Sequence, residues 1–164
     1  MTVWVSPTGV RHVEFGPLPA GNHLDDPDDF PPTLRDAVTQ LEEYFAGERT
    51  DFDLPLDLSG VATDFQRQVY EQLLAVEYGQ VMSYGELARA VGGPELARAV
   101  GQAVGANPIP IVIPCHRVVG SGGRLTGFGG GLPAKIALLR LEGIDVDGDR
   151  PTSKILPDVI PLDL

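Results

Sequence analysis

Ser83-Tyr84-Gly85-Glu86-Leu87-Ala88-Arg89-Ala90-Val91-Gly92-Gly93-Pro94-Glu95-Leu96-Ala97-Arg98-Ala99-Val100-Gly101-Gln102-Ala103-Val104-Gly105 is the stretch that decides the fold. Ser83 can cap a helix and Glu86 can reach back to it, which predicts a short helix from Tyr84 to Val91. Gly92-Gly93 stops that helix. Pro94 suits the first turn of another, with Glu95 beside the positive end of its dipole. Leu96, Val100 and Val104 then fall on one inward face, Gly105 ends the run, and Asn107-Pro108 forbids its continuation. Two helices joined by a Gly-Gly turn predict a helix-turn-helix.

Upstream, a helix starts at Thr63 with Phe65, Val69, Leu73 and Val76 as its apolar stripe. Residues 48–62, acidic and broken by Pro55 and Gly60, read as a linker. An earlier helix runs from Thr33, with Thr33 and Asp36 as a capping box; Leu34, Val38, Leu41 and Phe45 face inward, and Gly47 ends it. Residues 19–32 read as an exposed loop, and Thr2–Val5 with Arg11–Phe15 as a hairpin. Downstream, Ile109 to Cys115 reads as extended and apolar, with Pro110 and Pro114 excluding it from a sheet interior. Glycine-rich segments at 120–123 and 127–131 precede a last helix, Leu132 to Leu141, and the tail from Ile144 is expected to be loosely ordered.

The chain has 164 residues, 43% hydrophobic, which suits one domain or two small lobes sharing a core. The longest apolar run is too short to cross a bilayer, and from Met1-Thr2-Val3-Trp4 no signal peptide is expected. One cysteine and three scattered histidines make neither an internal disulfide nor a zinc spacing. A monomeric cytoplasmic protein without metal or cofactor is expected. The net charge of −11 is unevenly spread: −9 over residues 1–60, +1 over 61–143 and −3 over 144–164. Ten Arg stand against two Lys, and 14 Asp against nine Glu. Such a surface fits work in concentrated salt, where self-repulsion is screened; an acidic mesophilic protein with a GC-rich coding sequence is the alternative.

The only cysteine lies in Pro114-Cys115-His116-Arg117-Val118-Val119. A lone cysteine after an apolar run is ordinarily an inert hydrophobe, but adjacent His116 and Arg117 are groups that favour a thiolate. His116 can reach Cys115 only at a bend or through a water, and it needs an orienting acceptor. Glu142, at the end of the last helix, is the candidate.

Asn107-Pro108-Ile109-Pro110-Ile111-Val112-Ile113-Pro114-Cys115-His116-Arg117-Val118-Val119-Gly120 resembles the active-site signature of the O6-alkylguanine-DNA alkyltransferases. The resemblance extends through Phe65-Gln66, Val69-Tyr70, Tyr78-Gly79 and Ser83 to Ala88, then Ala97 to Gly101, Leu125 to Phe128 and Gly130-Gly131-Leu132, covering about residues 33–143. It implies an α/β protein. A small ribonuclease-H-like N-terminal lobe (1–58) would precede a mostly helical, winged-helix-like DNA-binding domain (59–150) and a tail (151–164). The implied activity is single-turnover transfer of an alkyl group, chiefly methyl, from O6-alkylguanine in double-stranded DNA, with O4-alkylthymine as a further substrate.

The resemblance also implies roles. Cys115 would accept the alkyl group, His116 would deprotonate it through a water, and Glu142 would orient His116. Tyr84 would meet the target nucleotide and protonate the departing guanine. Arg98 would enter the space left by the flipped base, and Asn107 would tie the recognition helix to the active-site segment. Phe128 would stack on guanine, and backbone around Val118 and Gly129 would contact its edge. Ser83, Ala97 and Ala99 would lie against DNA, the small residues letting backbone approach closely. The chain departs from the pattern at Glu77, where many members have proline, and at Gly129, which has no side chain to offer. Two rival classes make different demands. A non-enzymatic alkyltransferase-like protein would lack the acceptor cysteine, and a thiol hydrolase would turn over.

Overall fold

The structure, a computed structural model, describes residues 1–16, 26–149 and 153–156. Its N-terminal lobe opens with an antiparallel hairpin of β1 (Thr2–Ser6) and β2 (Gly9–Glu14), with a bulge between Trp4 and Val5. Residues 55–57, expected to be linker, dock on this hairpin. Val10 donates to the Pro55 carbonyl at 2.8 Å and accepts from the Asp57 amide at 2.8 Å. Position 9 must be glycine for this approach, because a Cβ there would meet the Pro55 oxygen at 2.4 Å and φ is +155°.

Helix α1 (Pro32–Phe45) covers the hairpin. The expected Thr33–Asp36 capping box does not form: Pro31 is the N-cap and makes no side-chain cap bond. Pro32, with φ already fixed, occupies the first helical position and starts the helix before Thr33. The inward face is Ala37, Leu41 and Tyr44, while Phe45 is left 45% exposed. Leu41 is buried as expected and Leu34 and Val38 are half-buried, but the stripe ends inward at Tyr44, one residue before the expected Phe45. Of the loop expected at 19–32, residues 17–25 lie outside the described residues, and Pro27–Asp29 form a short 3-10 turn.

The second lobe follows as α2 (Asp64–Leu74), β3 (Met82–Ser83), α3 (Tyr84–Val91), α4 (Ala97–Gly105), β4 (Val118–Val119) and α5 (Leu132–Leu141). Both α2 and α3 begin with full capping boxes, Thr63 with Gln66 and Ser83 with Glu86. Pro94–Leu96 form a single 3-10 turn leading into α4. Helices α2, α3 and α4 pack on one another, the arrangement expected of a helix-turn-helix. The parallel pair β3–β4 joins the start of α3 to the segment after Cys115.

The segment expected to be extended, 109–115, is instead a buried turn. The Ile113 amide donates to the Ile109 carbonyl at 2.9 Å, and Ile111 has φ of +77°. Pro110 and Pro114 offer no amide to a ladder, so the apolar side chains are buried by folding the chain back on itself. A β-branched residue in the left-handed region is strained, and complete burial of the Ile111 side chain opposes its relaxation.

One hydrophobic core spans both lobes. It joins Val10, Val13, Leu41 and Tyr44 to Val69, Leu73, Leu87, Val100, Ile109, Ile113 and Val118. A smaller cluster lies around Leu139. The part of the expected loose tail that is described is packed into that cluster. Ile155 is buried, its amide bonds the Gly123 carbonyl, and it pairs with Val146. No helix among the described residues is long and apolar enough to cross a membrane.

Candidate active site

Cys115 begins a 3-10 turn, Cys115–Arg117, at the end of the buried 109–113 turn. It is 6% exposed and opens into a cavity of about 400 Å³ lined by Tyr84, Gly101, Val104, Gly105, Cys115, Gly127, Phe128 and Gly129. Asn107 clamps the turn: its amide donates to the Ile113 carbonyl at 2.8 Å, and its oxygen accepts from the Ile109 amide at 3.0 Å. Burial pushes the Cys115 thiol up, opposed by a hydrogen bond to Asn107 and by the charge of Lys135. The charge of Arg117, expected to favour the thiolate directly, is engaged by Glu142 instead.

Glu142 caps the C-terminal end of α5 and is buried. Its Oε1 accepts from His116 Nε2 at 2.8 Å, from Arg117 Nη2 at 2.9 Å and from the Tyr44 hydroxyl at 2.7 Å. Its Oε2 accepts from Arg117 Nε at 2.9 Å and from the Gly79 amide at 3.3 Å. Burial alone would raise this carboxyl, but the hydrogen bonds from His116 and Arg117 and the charge of Arg117 outweigh it and hold it at about 2. For His116, burial wins over Glu142 and lowers its basicity. Neutral His116 donates from Nε2, since Glu142 can only accept, so Nδ1 carries the free lone pair. That atom is buried and has no hydrogen-bond partner among the described residues. The arrangement can take a proton from a nearby thiol and stabilise the imidazolium that results.

The remaining expected residues divide by surroundings. Tyr84, the first residue of α3, and Phe128 flank the cavity mouth. Arg98 is exposed near the start of α4, between half-buried Ala97 and Ala99. The Ser83 hydroxyl accepts the Glu86 amide at 3.2 Å, so capping already engages it. Val118 is buried and its carbonyl accepts from Lys135 Nζ, while Gly129 is exposed on the cavity rim.

Four neighbours were not anticipated from the sequence. Arg117 bonds both Glu142 and the Val76 carbonyl. Tyr44 reaches Glu142 from the first lobe. Lys135 is fully buried, bonds the Val118 and Thr126 carbonyls, and is lowered to about 8 by burial. Phe15, just after β2, packs edge-on against Phe128 at 5.4 Å and fills the space over Gly130, where a Cβ would lie 2.8 Å from its ring. Arg117 was visible in the motif, though not as a partner of Glu142, and Lys135 left a signal as a lysine inside the apolar run Leu132 to Leu139.

Comparison with known proteins finds family matches over most of the chain. Residues 64–144 match the family described as "6-O-methylguanine DNA methyltransferase, DNA binding domain", and residues 2–58 match its "ribonuclease-like domain". The methylated-DNA–protein-cysteine methyltransferase of Mycobacterium tuberculosis is 52% identical over 135 residues, 82% of this chain and 79% of that one. The constitutive Bacillus subtilis enzyme of the same name is 48% identical over 114 residues, 69% of this chain and 68% of that one. Among solved structures, M. tuberculosis OGT in complex with DNA superposes with a TM-score of 0.73 at 44% identity, covering 86% of this chain and 85% of that one. Schizosaccharomyces pombe Atl1, in complex with damaged DNA containing O6-carboxymethylguanine, superposes at 0.52 with 31% identity, covering 61% of this chain and 97% of that one.

Proposed function

The chain belongs to the O6-alkylguanine-DNA alkyltransferases, the methylated-DNA–protein-cysteine methyltransferases, and from that premise we propose how its residues carry out repair by direct alkyl transfer. The observation that carries the assignment is the only cysteine of the chain, on the wall of a cavity and beside a neutral, Glu142-bound histidine with a free buried nitrogen. Sγ of Cys115 attacks the alkyl carbon of O6-alkylguanine. The carbon–O6 bond breaks, its electron pair stays with guanine, and Tyr84 donates the proton that neutralises the leaving base. The Cys115 proton passes through water to Nδ1 of His116, whose new charge Glu142 offsets. The product is a thioether. It does not hydrolyse, so each chain acts once.

A base inside the duplex cannot reach a buried thiol, so the nucleotide is flipped into the cavity. Ala97 and Ala99 let α4 approach the backbone, with Ser83 at the neighbouring helix start. Phe128 stacks on the guanine, and backbone at Val118 and Gly129 meets its edge. Asn107 keeps the end of α4 fixed to the active-site turn. The lobe division near residue 58, a monomeric state, a cytoplasmic location and acceptance of O4-alkylthymine belong to the same proposal.

Incubating the protein with duplex DNA containing O6-methylguanine and weighing it tests the assignment. One methyl mass on the Cys115 peptide, saturating at one equivalent, is expected. Continued turnover would make the protein a thiol hydrolase, and an unmodified chain that still binds would make it a non-enzymatic lesion binder.

Arg98, exposed and without an ion pair among the described residues, is free to fill the vacated base stack. Arg98→Ala is expected to weaken repair of duplex substrate far more than reaction with the free alkylated base. The cost it offsets, a few kcal/mol of unstacking, exists only in the duplex. Equal losses on both substrates would remove Arg98 from base extrusion.

Charge sets the salt response. Residues 61–143 carry only seven bases against six acids, and residues 1–60 add −9. At about 1 M salt the Debye length is roughly 3 Å, so this self-repulsion disappears. Repair is expected to persist or rise between about 0.2 M and 2 M salt. The slope of log affinity against log salt is expected to correspond to about one to three phosphates. A steep loss of binding with the fold intact would refute the saline adaptation.

A further inference from the structure

Glu142 collects donors from several elements, and one of them comes from the other lobe. Tyr44 lies on α1, fully buried, with its ring among Phe45, Phe52 and Tyr78 at centroid distances of 5.5, 5.3 and 6.1 Å. Its hydroxyl donates to Glu142 Oε1 at 2.7 Å and lies 3.5 Å from His116 Nε2. Packing alone requires only the ring. A buried hydroxyl costs free energy unless bonded, and this one is directed at the oxygen that holds His116.

We propose that Tyr44 is a positioning residue for alkyl transfer, fixing the Glu142 carboxylate against His116 from the N-terminal lobe, so that the relay is complete only when both lobes are docked. This rests on the assignment of Cys115 and His116 above. Arg117 forks onto both carboxylate oxygens and by itself would draw the carboxylate toward the guanidinium. Tyr44 takes up remaining capacity on Oε1. It holds that oxygen in place and leaves the carboxylate less able to pull the proton off Nε2, so Nδ1 stays the basic atom. The charged and titratable groups facing Glu142 are His116, Arg117 and Tyr44, with Tyr78 beyond them; His116 also feels Lys135 from α5.

Tyr44→Phe keeps the ring and removes the donor. Single-turnover methyl transfer is measured from the lowest pH at which the protein stays folded up to about pH 9, because burial lowers His116 below the ordinary imidazole range. The rate falls at low pH as His116 becomes protonated. In Tyr44→Phe the freed carboxylate makes His116 more basic, so this acid limb is expected to move up by about half a pH unit to one unit. The neutral-pH rate is expected to fall about three- to tenfold, a small part of what a positioned base contributes. Imidazole nitrogen NMR should show the same upward displacement for His116. Phe52→Leu disturbs the same ring cluster without touching the hydroxyl; it should lower the Tm and leave the acid limb in place. A reactive wild type with an identical Tyr44→Phe profile overturns this proposal alone. So does an equal displacement in Phe52→Leu. A wild type that gains no methyl overturns the assignment of Cys115, and this proposal with it.

Discussion

Cys115→Ser is expected to abolish alkyl transfer while leaving the fold and DNA binding in place. The hydroxyl is a far weaker nucleophile than the thiol, and His116 with Glu142 makes a relay of modest strength, because burial lowers the basicity of His116. A loss of roughly 10⁴-fold or more is the scale on which nucleophile removal acts in other enzymes. The two side chains differ little in size, and Cys115 sits on a cavity wall, so no overpacking follows. Intact mass after incubation with alkylated duplex measures the first effect, and electrophoretic retardation measures the second. A methylated Cys115→Ser chain would place the acceptor elsewhere, and this chain has no second cysteine to supply it.

Glu142→Gln is expected to have the next largest effect, on stability and rate together. It removes the charge partner of Arg117, whose guanidinium stays buried. Breaking a buried pair this way costs about 3–5 kcal/mol. For a chain of this size that lowers the Tm by very roughly 6–20 °C. The deficit also has a pH signature. The Glu142 carboxyl is held at about 2, below its ordinary range. Its stabilisation is therefore full above the unfolded-state value near 4.5 and is lost as pH falls toward 2. The Tm difference between wild type and Glu142→Gln should shrink over that interval, and a difference independent of pH would show that the carboxylate's charge is not what stabilises. In transfer assays the neutral-pH rate should fall on the order of 10²-fold. The remaining rate should climb at higher pH, where the thiol, pushed up by burial, ionises unaided. His116→Ala should show the same upward displacement. Unchanged rates across pH in both variants would remove the relay from the mechanism.

What the sequence disclosed depended on how local the determining physics was. Helix α3 was legible because Ser83 and Glu86 cap within one turn. The hairpin was legible because Pro7 to Gly9 punctuates two short β-type runs. The end of α1's inward face was set one residue off because Leu41 belongs equally to a stripe ending at Phe45 and to one ending at Tyr44. Only the hairpin and the second lobe choose between them. Ile109 to Ile113 has the composition of a strand, and no residue type announces the left-handed Ile111 between its two prolines. In the site, Cys115 and His116 were legible through their motif. Glu142 was reached as a helix-end acceptor for His116. Arg117 stood in view, yet its charge was credited to the thiol when the fold spends it on Glu142. Tyr44 lies 98 positions from Glu142 and Phe15 comes from the hairpin, and local pattern carries no sign of either contact.

The hydrogen bond from Tyr44 to Glu142 runs between the two stretches that match separate family descriptions, residues 2–58 and 64–144. Its consequence is one of heredity. The two halves share one acceptor oxygen, Oε1 of Glu142. A chimera whose first half brings phenylalanine to position 44 would keep the ring cluster and lose the donor. It would inherit a folded protein with a slower relay. On the proposed role of Tyr44, exchange of either half alone would part the donor at position 44 from its acceptor at position 142.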